Sequence, residues 1–93
     1  METPVYKYQL NIYGDLLMLP RDSQILTVRV QYGRPVLYMK IGTAPPCGLE
    51  IFTCGTGHSP RPGGTYIGTT MLDNETLVIH YFAFWHDPKE PNQ

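Results

Sequence analysis

Glycine and proline interrupt this chain about every fifth residue, with nine of each among 93 residues. Neither residue sits well inside a helix, because glycine loses too much backbone freedom and proline lacks the N–H. Long helices are excluded by that spacing alone. What lies between the interruptions alternates with a period of two. Tyr6, Tyr8, Leu10 and Ile12 are separated by Lys7, Gln9 and Asn11, and from Ile25 to Tyr32 the residues Leu26, Val28, Val30 and Tyr32 alternate with Thr27, Arg29 and Gln31. Period-two alternation marks a strand with one face buried.

Further strands are expected at Leu16–Leu19, Val36–Ile41, Leu49–Cys54, Tyr66–Thr70 and Leu77–Trp85. Gly14-Asp15 would close a hairpin between the first two, and Gly33-Arg34 a hairpin between the third and fourth. Six to seven short strands punctuated by turns predict an all-β fold, a small antiparallel sandwich or a partly open barrel. The length fits one domain over residues 1–93, with an ordered core at about 5–86 and a polar, proline-bearing tail at 87–93. The last strand is apolar on both faces: Leu77, Ile79, Tyr81, Ala83 and Trp85 on one, Val78, His80, Phe82 and Phe84 on the other. Such a strand is central, or one of its faces is covered by a second sheet or a second subunit, and a homo-oligomer using one face of this strand is expected.

Charge limits the partners. Seven Lys and Arg against eight Asp and Glu give a net charge of −1, which argues against a DNA or RNA polymer as ligand but leaves room for a small anion held by two or three arginines. No secretory leader opens the chain and no run is long and apolar enough for a membrane span, so a cytoplasmic protein without membrane contact is expected. Cys47 and Cys54 stand seven residues apart, about 23 Å along a straight strand, which predicts free thiols. The spacing of Cys47, Cys54, His58, His80 and His86 does not suit a metal, and no cofactor motif is present.

Catalysis has little to stand on. The carboxylates Asp15, Asp22, Glu50, Asp73 and Glu75 flank turns or polar faces, and no nucleophile motif or paired acids accompany His58 and His80. A non-enzyme is expected. Binding chemistry concentrates in GTGHSPRPGG, residues 55–64. Its glycines expose backbone N–H groups of the sort that cradle anions, Arg61 can fork onto a phosphate, His58 can donate, and the ring of Tyr66 can carry a base or sugar. The candidate ligand site is therefore Gly57, His58, Arg61, Gly63 and Tyr66, with Arg29 or Arg34 on the second hairpin as the next place to look. A purely structural hairpin loop would carry the same residues.

Tyr6-Lys7-Tyr8, Leu19-Pro20, the strand Ile25–Gln31, Thr56-Gly57-His58, Tyr66-Ile67-Gly68-Thr69 and Leu77–Phe82 follow one another in an order that resembles a family of small bacteriophage and prophage proteins described only as a domain of unknown function. The segment 42–48 departs from that pattern, with a proline-rich loop in place of a charged one. The resemblance implies a phage accessory protein in the host bacterial cytoplasm and assigns no catalytic residue. It fits a non-catalytic protein that counters host defence by binding and sequestering a nucleotide-derived immune signal. A protein–protein inhibitor of a host defence complex, of anti-CRISPR or anti-restriction type, is the alternative.

Overall fold

The computed structural model describes residues 3–87, and the expected tail beyond Asp87 lies outside the described residues. Among the described residues seven strands are formed and no helix: β1 (Val5–Gln9), β2 (Asp15–Pro20), β3 (Gln24–Gln31), β4 (Arg34–Lys40), β5 (Pro46–Gly55), β6 (Thr65–Leu72) and β7 (Leu77–His86). They make two antiparallel sheets, a three-stranded sheet in the order β1-β4-β3 and a four-stranded sheet in the order β2-β5-β7-β6. The result is an open sandwich and not a closed barrel.

The first expected hairpin does not form. β1 pairs with β4, and β2 pairs with β5 in the other sheet. The chain crosses between sheets at Asn11–Gly14, where the Asn11 Oδ1 accepts from the Tyr13 N–H at 2.8 Å and Asp15 Oδ2 accepts from the Asn11 N–H at 2.7 Å. Gly14 is needed there: its φ is +116°, and a Cβ would lie 2.8 Å from the Ile51 carbonyl oxygen. The second hairpin does form, one residue earlier than expected. Tyr32 and Gly33 take φ values of 52° and 76°, the left-handed pair that matches the twist of a two-residue hairpin.

Alternation sorts the side chains. Leu37 and Met39 of β4 and Val28 of β3 meet Leu49 and Ile51 of β5 and Ile79, Tyr81 and Ala83 of β7 between the sheets. Tyr81 is wholly buried, and its hydroxyl is satisfied by Thr70 Oγ1 at 2.8 Å. Burial pushes this phenol up from its usual range. β3 bulges at Leu26 and β6 at Ile67, and these two bulged edge strands meet where the sheets come together along one side of the sandwich. Both cysteines are free and share strand β5.

Candidate anion-binding site

The glycine-rich loop turns inward. Arg61 lies 4.1 Å over the Phe52 ring and donates to Glu50 Oε2 at 2.8 Å, while His86 Nε2 sits 2.8 Å from Glu50 Oε1. Arg61 first and His86 second hold the Glu50 carboxyl well below its usual range, at about 2. Gly64 packs flush on the aromatic pair Phe52 and Phe82, where a Cβ would stand 2.2 Å from Phe52 Cζ. Gly63, with φ +97°, passes the edge of Phe84. The loop thus covers the middle of the outer face of the four-stranded sheet.

The five sequence candidates are not gathered. Arg61 lines a depression with Leu16 and Glu50, His58 one with Thr76 and Leu77, and Tyr66 a third with Leu26 and Trp85. Gly57 has open space around it and φ +91°, as the turn closed by His58 N–H on the Gly55 carbonyl at 3.1 Å requires. Tyr66 Oη is held 2.5 Å from Thr69 Oγ1, which continues to His80 Nδ1 at 2.9 Å and, through Nε2, to Thr56 Oγ1 at 2.8 Å. That chain ties the start of the loop to β6 and β7. It uses both nitrogens of His80.

Charge gathers elsewhere. On the outer face of the three-stranded sheet the register aligns Val5 with Lys40 and Gln24, Lys7 with Tyr38 and Thr27, and Gln9 with Val36 and Arg29, with Arg34 opposite Gln31 at the hairpin end. Four cations and no carboxylate stand in these rows. Among the described residues the other two, Arg21 and Arg61, are each in a salt bridge with Asp87 or Glu50, and Lys7, Arg29, Arg34 and Lys40 are in none. Four cations without counter-charges, all on one face, make a positive surface that the net charge conceals.

One end of this face is shaped. Lys7, Gln9, Gln31, Tyr32, Arg34 and Val36 line an open groove of 490 Å³. Val36 is buried and forms its floor. Lys7 Nζ and Tyr38 Oη both donate to Gln31 Oε1 at 3.3 Å, reaching over the Val36 row toward the hairpin. Tyr32 is 94% exposed, so its ring is available at the rim. Arg29 and Arg34 are one strand and one row apart, roughly 8 Å between Cα atoms by standard sheet spacing. Two guanidinium forks at that distance can share one phosphate or hold two neighbouring ones, with Lys7 as a point charge. At the far end Lys40 shares its surroundings with Asp22, whose carboxylate is held below its usual range by the N–H groups of Ala44 and Thr43. The positive field is therefore strongest at the hairpin.

Alternation already turned Arg29 and Gln31 outward in the sequence, and Arg34 was in view as a second choice. Lys7, Tyr32 and Lys40 were missed, because only the long-range pairing of β1 with β4 brings Lys7 beside this hairpin. Among the described residues no group of His, Cys, Asp and Glu is placed to hold a metal, and no helix is long and apolar enough to cross a membrane.

The molecule is thus a two-sheet β protein with one basic sheet face. Over residues 1–92 the chain matches a family described as Domain of unknown function (DUF7352), and it belongs to that family. No curated protein and no solved structure matches it.

Proposed function

We propose that this chain is a non-catalytic binding module that holds a small phosphate-bearing nucleotide on the outer face of its three-stranded sheet. The segregation of Lys7, Arg29, Arg34 and Lys40 on a face without carboxylates is the observation that carries this reading. An exposed tyrosine beside paired arginines suits a base next to its phosphate, since every base offers a face for stacking. His80, with both ring nitrogens engaged by threonine hydroxyls, is poorly placed for acid–base work. In the phage setting that the sequence resembles, such a module would act in the host cytoplasm by sequestering a nucleotide-derived immune signal.

Calorimetric titration with a panel of cyclic di- and trinucleotides and cyclised ADP-ribose derivatives tests this. At least one member is expected to bind, and Arg34→Ala should weaken it by roughly 1.5–3 kcal/mol, the worth of a hydrogen bond to a charged group. Arg61→Ala should leave affinity within about twofold, since Arg61 is engaged by Glu50 and Phe52. No heat from any member would overturn the reading. It would favour instead the protein–protein inhibitor, for which the exposed apolar residues of the four-stranded sheet are the supporting observation.

A further inference from the structure

The outer face of the four-stranded sheet lacks a cover. Its rows run from Met18–Gly48–His86 through Leu16–Glu50–Phe84 and Phe52–Phe82–Tyr66 to Val78–Met71. Loop 55–64 shields only the middle, over Phe52 and Phe82. On either side Leu16 and Met18 are 62% and 63% exposed, with Phe84, Tyr66 and Met71 also exposed. At about 200 Å² for a fully exposed side chain of this size, these five leave roughly 550 Å² of apolar surface. An ordinary stable interface buries about 800 Å² per partner, and in homodimers about 65% of it is apolar, or some 520 Å². One face of this sheet supplies that amount.

The charges on the face are already neutralised. Glu50 is bridged by Arg61 and His86, so a partner need not bring a counter-charge, and burying the face strands no ion. A surface that is apolar and internally charge-balanced complements itself. The sheet edges are unsuited to strand addition, since β2 is six residues ending in Pro20 and β6 is bulged at Ile67.

We infer that this face packs against its counterpart in a second copy of the chain, forming a two-fold dimer with the two basic faces outermost. The stack is four sheets deep. At about 10 Å per sheet spacing, and more where loop 55–64 lies between the central pair, the basic faces stand at least roughly 30 Å apart and point in opposite directions. One small ligand cannot touch both, so each chain binds its own, and dimerisation and binding are uncoupled. This last clause rests on the function proposed above; the dimer itself does not.

Sedimentation equilibrium of the full chain at 1–100 µM reads the dimer directly, and is expected to give twice the 10.6 kDa chain mass. Leu16→Lys, at a position that is exposed in the single chain, should raise the dimer dissociation constant at least 100-fold while circular dichroism stays unchanged. Tyr32→Lys, on the hairpin at the end of the basic face, should leave the mass at that of the dimer. A wild-type protein that sediments as a monomer throughout, or a Leu16→Lys variant that remains fully dimeric, would overturn the inference. Failure of the nucleotide panel with an intact dimer would instead count against the ligand alone.

Discussion

The outer faces of the two sheets are made by the same alternation and carry opposite chemistry. On the three-stranded sheet the outward rows carry cations, amides and hydroxyls, with Val5 and Val36 among them and no carboxylate. On the four-stranded sheet the same positions include Leu16, Met18, Phe52, Phe82 and Phe84, and the one acid there, half-buried Glu50, is tied up between Arg61 and His86. A net charge of −1 therefore says little about either surface. The acids are spent elsewhere: Asp22 accepts the Thr43 and Ala44 N–H groups, Asp15 accepts the Asn11 N–H, and Asp87 pairs with Arg21. One face is left to attract anions and the other to exclude water.

Gly64→Ala should break the apolar side hardest. Its methyl would meet Phe52 Cζ at 2.2 Å and Phe82 Cβ at 3.0 Å, and Phe52 cannot swing away because Phe82 stacks on it and Arg61 covers it. Overpacking of this kind costs about 1–3 kcal/mol, which for a domain of this size lowers the melting temperature by roughly 5–15 °C. Ligand affinity at the basic face, measured below the new melting temperature, should be unchanged.

A smaller effect is expected from acid. Glu50 titrates at about 2 in the folded chain, and near 4.3 when unfolded. Its contribution is thus complete above the unfolded value and is lost as pH falls from there toward 2. Because the pair is partly exposed, the contribution is about 1 kcal/mol or less. Glu50→Gln should flatten the fall of melting temperature over that window, with Asp22 supplying the acid sensitivity that remains. Smallest of all, Lys40→Ala should weaken nucleotide binding less than threefold, since Lys40 stands at the end of the basic face that Asp22 offsets.

The sandwich was legible in the sequence because period-two runs and turn residues are local signals. The hairpin between β3 and β4, to within one residue, and the two sides of β7 could be read from neighbours along the chain. The pairing of β1 with β4 could not, since Gly14-Asp15 looks like any hairpin turn until the Ile51 carbonyl is seen against Gly14. The site followed the same rule. Loop 55–64 drew attention because its glycines and Arg61 are close in sequence, yet Gly63 and Gly64 let the backbone lie on Phe52, Phe82 and Phe84, and Gly57 serves the turn closed by His58. Lys7 and Arg34, 27 residues apart in sequence, share a groove that only the sheet order creates.

Amide chemical-shift mapping of the isotope-labelled protein, titrated with the tightest-binding member of the nucleotide panel, tests the division of the two faces most directly. The basic face should respond: perturbations are expected at Lys7–Gln9 and Arg29–Val36, with loop 55–64 and the rows of Leu16 and Phe84 unmoved. Perturbations centred on residues 56–66, or none at saturating ligand, would contradict it.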